Sequence, residues 1–264
     1  MKAEVNSSTT NNERIVVDQD ILPIFIASNN HPSEPLDFCG TGFLVYQGLL
    51  MTCNHCVKKN PPNNSNYVIA IRNKEGIYEN KKLTTIQSDV NGADLAIAKV
   101  DLVQKLRLVL SEKFTPWGTD VWTMGYPFTD SWQEDGVRKF KLNGRYLQGY
   151  ITRDFYYDHP SEGRRASFEL SIPVPGGLSG APVVKLGTRE VIGVIYGEND
   201  VGTIERFSHK DPQTGKDIPD LERLVSFGLA CHTTIMNNAA FDLTDRLPIE
   251  QYIKLLEKRK NKLE

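Results

Sequence analysis

The chain has 264 residues, 39% of them hydrophobic and 24% charged, the profile of a globular protein with room for one large domain or two small barrels. A formal charge of −2 offers no electrostatic footprint for nucleic acid or an anionic membrane surface, and no apolar run reaches the length of a membrane span. The opening MKAEVNSSTTNNER has no apolar core behind its lysine, so it does not read as a secretory signal. Residues 1–13 are expected to form a disordered polar tail, and a reducing, cytoplasmic compartment is expected for the rest.

In chain order the signals are short and strand-like. Ile15–Val17 and Ile21–Ala27 come first, the second an edge strand because Pro23 interrupts it. Gly42–Tyr46 and Leu49–Cys53 follow as a hairpin turning at Gln47-Gly48, then Tyr67–Arg72 and Leu95–Val100. Lys58–Asn66, with two prolines and four asparagines, is a loop. The apolar strands pause around Leu110–Trp117, where the join between two halves is expected. Beyond it lie Val121–Met124, Val137–Tyr146, Gln148–Arg153, Ala166–Ile172, Pro182–Lys185, Val191–Tyr196 and Val225–Cys231. Only the end reads as a helix, where Ile249, Tyr252, Ile253, Leu255 and Leu256 recur at helical spacing. Two runs of short strands and a terminal helix predict an all-β pair of barrels, about 14–112 and 113–240, with a helix over about 248–262. The polar stretch Glu198–Leu224 is longer than compact-domain loops usually are and is expected to gate a cleft or hold a regulator.

Three stretches carry chemistry. Pro175–Val184, PGGLSGAPVV, is a tight loop running into a strand. It would suit a nucleophilic serine with main-chain N–H groups beside it, and equally a plain Gly/Ser turn. His55 ends an apolar strand and Asp94 opens another, and each alone reads more readily as structural. Cys53-Asn54-His55-Cys56 matches no common structural zinc spacing and no second Cys/His pair of suitable spacing follows, so no metal and no cofactor is expected.

Together the stretches give the order His55, then Asp94 39 residues later, then Ser179 a further 85 on. That order, with each residue abutting an apolar strand, resembles the trypsin-like (chymotrypsin-fold) serine peptidases. CGTGFLV at Cys39–Val45, MGYP at Met124–Pro127, VIGVIYG at Val191–Gly197 and SFGLA at Ser226–Ala230 are similar to strands of that family. The likeness spans about residues 14–262 and is closest to the bacterial branch that includes HtrA-type proteases, without their PDZ domains.

The resemblance implies two packed six-stranded antiparallel barrels, with Ser179 as nucleophile, His55 as general base and Asp94 orienting the imidazole. It implies an oxyanion hole from the N–H groups of Gly177 and Ser179. It further implies a protein or peptide substrate paired as an extended strand along Ile195, Tyr196 and Gly197, with Glu198 at the pocket mouth. Cys39 and Cys56 match positions joined by a disulfide in secreted relatives. Two departures stand out. Leu178 replaces the aspartate that precedes the nucleophile in digestive relatives, so activation by a new N-terminus at Ile15 is not expected. Pro173, by ungapped counting, occupies the place of their pocket-floor acid, which removes the simple argument for Arg/Lys specificity. The expected function is an intracellular endopeptidase, with a protein activator in a regulated bacterial stress or defence pathway; the alternative is a catalytically silent binding module of the same fold.

Overall fold

The computed structural model describes residues 19–30, 35–57, 61, 63–73, 78–134, 137–159, 163–205, 210, 213–216 and 221–260. The expected tail and the Ile15–Val17 strand lie outside them.

The first barrel is closed by β1 (Ile21–Ser28), β2 (Pro35–Tyr46), β3 (Leu49–Thr52), β4 (Ser65–Arg72), β5 (Tyr78–Ser88) and β6 (Ala96–Val100), in spatial order β1-β2-β3-β6-β5-β4. Every neighbouring pair is antiparallel. Its interior holds Ile24, Phe43, Leu50, Ile69, Leu95 and Ile97, all at most 1% exposed. β1 is no edge strand: bonded to β2 on one side and β4 on the other, it is buried along nearly its whole length. Closure removes the edge that Pro23 suggested.

β7 (Val109–Leu110) lies in the crossover and adds in parallel to β14 (Glu190–Glu205). The second barrel comprises β8 (Asp120–Gly125), β11 (Arg145–His159), β12 (Gly163–Leu170), β13 (Pro182–Lys185), β14 and β15 (Leu221–Cys231), closed by the β13–β14 pairing. Val121, Ile151, Phe168, Leu170, Val183, Ile192 and Ala230 fill it. A separate hairpin, β9 (Asp130–Glu134) with β10 (Val137–Lys141), packs Phe140 against Phe25 of the first barrel, ring centroids 5.2 Å apart. Three helices complete the regular structure among the described residues: α1 (Asn54–Val57), α2 (Thr233–Asn238) and the terminal α3 (Ile249–Lys260), with a 3-10 turn at Asp242–Thr244.

Two buried carboxylates fasten connections to the barrels. Asp20, fully buried, accepts from the main-chain N–H groups of Arg107 (2.8 Å) and Leu108 (3.3 Å) and from the Gln104 amide (3.0 Å), tying the crossover back to β1. Burial raises its pKa above the ordinary aspartate value, against the pull of those donors. Asp89 accepts from Ala93 N–H (3.0 Å) and Ala240 N–H (2.8 Å), clamping the turn before Asp94 to the segment after α2.

The expected loop at Glu198–Leu224 is largely strand. β14 and β15 pair in register from Gly197↔Leu229 to Glu205↔Leu221, so a long hairpin replaces it. Its pattern carries little apolar alternation because it pairs through backbone bonds beyond the barrel body. Of the tip, residues 206–209, 211–212 and 217–220 lie outside the described residues.

Candidate active site

β3 ends at Thr52 and the chain turns at once into α1, which presents His55 at the rim of the first barrel. Asp94 lies in the turn between β5 and β6, 7% exposed, with the His55 side chain above it 45% exposed. His55 Nδ1 donates to Asp94 Oδ2 at 2.6 Å, and the His55 main-chain N–H donates to Oδ1 at 3.0 Å. One carboxylate thus holds the residue at two points, which fixes the ring plane and leaves Nε2 as the free nitrogen. Asn54 N–H donates to the Asp94 carbonyl (3.2 Å), and Ser88 Oγ donates to Asn54 Oδ1 (2.6 Å), so the whole turn is seated. Partial burial disfavours the imidazolium, but the hydrogen bond and negative charge of Asp94 outweigh it and raise the His55 pKa above its ordinary 6.5.

Ser179 sits on the second barrel in a loop shaped by its main chain. Leu178 is fully buried within the second-barrel core and pins the loop from behind. That is the physical use of an apolar residue at this position. Leu178 N–H donates to the Pro175 carbonyl (3.3 Å), and Gly177 has φ +103°, the signature of a type II turn over Pro175–Leu178. A Cβ on Gly177 would stand 2.6 Å from the Tyr126 carbonyl oxygen, so only glycine fits. Gly180, at φ +86°, lies so close to the Thr41 carbonyl and Thr52 Oγ1 that a Cβ would overlap both. The N–H groups of Gly177 and Ser179 have no acceptor among the described residues.

The two halves meet through main chain and thiol. The Ser179 carbonyl accepts from Thr41 N–H (2.9 Å) and from the Cys56 thiol (3.5 Å), the residue next to His55. The Ser179 hydroxyl itself makes no hydrogen bond among the described residues, with His55 or otherwise. Such base–nucleophile contacts are commonly long until substrate closes them.

The expected substrate strand needs one correction. Ile195 N–H donates to the Ala181 carbonyl (2.9 Å), while its carbonyl accepts from Gly180 N–H (2.8 Å) and the Cys53 thiol (3.0 Å). Its main chain is therefore spent on supporting the serine loop and is unavailable to a substrate. A bulge between Ile195 and Gly197 follows, and β13 begins with Pro182 opposite Val194, so the open edge of β14 starts at Tyr196. Nothing lies within 4 Å of a Cβ built on Gly176 or Gly197, which leaves both sides of the cleft accessible there. Glu198 is exposed in mid-strand and accepts from Ser226 Oγ (3.3 Å). His232, the other histidine near the pocket strands, caps α2 by accepting from Thr234 N–H at 3.1 Å, and so is taken up structurally.

Cys53, His55 and Asp94 bring ligand atoms within 4.8 Å of one another. Each is committed elsewhere, however: the imidazole and carboxylate to each other, the thiol to Ile195. The residues do not fit an open metal site. None of the four cysteines is in a disulfide, Cys39 and Cys56 included.

The trypsin-like peptidase domain model matches residues 40–194. No curated protein matches the chain by sequence. Among solved structures, the active form of the Rv3671c protease from M. tuberculosis aligns with a TM-score of 0.54 at 18% identity, over 88% of this chain and 83% of that one. Deg5 aligns at 0.53 with 16% identity, over 75% and 88%. The HtrA-type protease AlgW, solved with a decapeptide, aligns at 0.51 with 15% identity, over 86% and 65%. At these identities the structures show a shared fold. With the family match covering more than half of its length, the chain belongs to the trypsin-like peptidases and is a serine endopeptidase.

Proposed function

We propose that the chain hydrolyses a protein or peptide through His55, Asp94 and Ser179, with the N–H groups of Gly177 and Ser179 as the oxyanion hole. The single observation that carries this reading is Asp94 bonded to both the ring and the main chain of His55 at the rim that faces the serine loop. Ser179 Oγ attacks the scissile carbonyl while His55 Nε2 takes its proton; Asp94 stabilises the imidazolium. The carbonyl oxygen, now negative, receives the two N–H bonds, and the proton on Nε2 passes to the leaving amine. Water then repeats the sequence on the acyl-enzyme. The substrate runs antiparallel to β14 from Tyr196 onward, as an added strand; AlgW, of the same fold, was solved with a decapeptide. The chain works in a reducing, cytoplasmic setting, which its free thiols suit, and within a regulated bacterial pathway. Processing at Arg14 is not required, because buried Leu178 offers no carboxylate to a new ammonium.

The test is a fluorophosphonate probe with mass-spectrometric mapping, alongside hydrolysis of a peptide library. Labelling at Ser179, and a loss on the order of 10⁶-fold in kcat for Ser179→Ala with an unchanged melt, is the expected result. A folded protein that neither labels nor hydrolyses is a binding module.

A further inference from the structure

Thr41 stands in mid-β2, on the first barrel, and is fully buried. Each polar atom it has is used at the junction with the serine loop or the His55 strand. Its N–H donates to the Ser179 carbonyl (2.9 Å), and its hydroxyl to the Gly177 carbonyl (2.7 Å). The hydroxyl oxygen accepts from Tyr126 N–H (3.3 Å), and its carbonyl accepts from Thr52 Oγ1 (2.7 Å). A hydroxyl has one hydrogen. Since the Tyr126 N–H can only donate, the Thr41 proton is directed at Gly177. The barrels approach closely to make this contact: a Cβ on Gly125 would stand 2.8 Å from Thr41 Oγ1.

The pattern is specific to the two residues that matter. Gly177 and Ser179 each have their carbonyl held by Thr41 and their N–H without an acceptor among the described residues. Each donor N–H lies in the peptide plane before its residue and the held carbonyl in the plane after it. The two bonds therefore fix the Cα and ψ of Gly177 and Ser179 and restrain the donors through the Cα they share. The Leu178 carbonyl, in one plane with Ser179 N–H, is held by Ala181 N–H (2.9 Å). Gly176, just upstream, has no neighbour within 4 Å of a Cβ position, and as a glycine it leaves the Gly176–Gly177 peptide, which carries the Gly177 N–H, a wide range of rotation.

We propose that Thr41 is the positioning residue of the oxyanion loop, a hydroxyl on one barrel that orients the donors of the other. This rests on the assignment of the Gly177 and Ser179 N–H groups as those donors. The loop's rest state is thereby biased toward donors facing the cleft, and kcat depends on a side chain that touches no reacting atom.

The experiment compares Thr41→Val, Thr41→Ser and the parent full-length chain, with rates normalised to the folded fraction. Thr41→Val is expected to lose roughly ten- to a hundredfold in kcat, less than outright deletion of a donor, with KM within about threefold. Affinity for a peptide aldehyde, whose adduct carries the oxyanion, should fall in proportion to kcat. The pH midpoint of kcat/KM stays put, because the His55–Asp94 pair is untouched, and Thr41→Ser restores most of the rate. Equal losses in the Val and Ser variants, or a Val variant within twofold of the parent in kcat, overturn the proposal. If Thr41→Val does not fold, Thr41→Cys, close to serine in shape but a weak donor, replaces it: a rate matching Thr41→Ser overturns the idea, a lower one supports it. A parent enzyme that fails to label at Ser179 instead sinks the assignment beneath it.

Discussion

The two halves of the site are made of different materials. On the first barrel the chemistry is in side chains: an imidazole, a carboxylate and a hydrogen bond of 2.6 Å between them. On the second barrel, apart from one hydroxyl, it is in the main chain, set by a turn with Gly177 at φ +103° and by glycines at which a Cβ would collide. The first half is therefore tuned by charge and answers to pH. The second is tuned by steric fit and answers to a single carbon atom. Each half is also held by the other, through Thr41 on the serine loop and through Ile195, whose carbonyl receives the Cys53 thiol.

The comparison is broken hardest from the side-chain half. Asp94→Asn keeps the size of the group but offers the imidazole an amide in place of a charge. The His55 tautomer is then no longer enforced, and kcat is expected to fall about 10⁴-fold with KM little changed. The melt should move far less than the rate, since the turn retains the Asp89 clamp on Ala93 and Ala240. Steady-state kinetics and a thermal scan on one preparation check this; a rate loss under tenfold would remove Asp94 from the mechanism.

The main-chain half fails differently. Gly180→Ala adds a Cβ that overlaps the Thr41 carbonyl and Thr52 Oγ1 at φ +86°. Strain and overpacking together cost roughly 2–5 kcal/mol. A melting shift of about 5–15 °C follows for a domain of this size. Gly176→Ala meets nothing within 4 Å, and its melt should stay within about 2 °C of the parent. Similar shifts in the two variants would show that steric fit does not distinguish these positions.

The third effect is on pH. The His55 pKa is raised in the fold above 6.5, so its ion pair adds stability that is fully present below that value. The contribution is lost as pH rises through the folded pKa. Activity runs the other way, because the base must be neutral: kcat/KM rises with pH, with a midpoint above 6.5. A histidine near its free value would place that midpoint lower. In Asp94→Asn the midpoint should drop back toward acid, and NMR titration of the His55 ring reads it directly. A midpoint at or below 6.5 in the parent protein contradicts the charge coupling seen between the two groups.

This division explains what was legible beforehand. His55, Asp94 and Ser179 each read alone as ordinary turn residues, but each abuts an apolar strand, so their order was visible in the sequence. The strands around them alternate or run apolar because the barrels bury them. β5 was missed because Leu83 is its one fully buried residue, and β9 because all five of its residues are exposed. Neither supplies a period-2 signal. The β14–β15 extension was mistaken for a loop for the same reason. Thr41 was invisible for another: a threonine between glycines in a strand has no sequence mark of the two carbonyls it will meet 136 and 138 residues later, at Gly177 and Ser179. Ile195 shows the converse error, since the substrate strand was located but the use of its backbone depends on tertiary pairing.

The smallest expected effect concerns the thiols, and it separates buried from accessible material within the same site. Cys53 and Cys231 are buried, and desolvation pushes both thiols upward, Cys231 to about 12 and Cys53 well above the ordinary 9.0. At neutral pH almost no thiolate exists at either, and the thiolate is the reactive form. Cys39 alone is half-exposed. Iodoacetamide on the folded protein should therefore modify Cys39 well ahead of Cys53 and Cys231. Dithiothreitol should change neither the melt nor kcat, because there is no disulfide to open. A melt that falls on reduction would mean that Cys39 and Cys56 pair after all, as in secreted relatives. The Cys56 sulfur would then be in a bond to Cys39 and would have lost the hydrogen with which it now meets the Ser179 carbonyl.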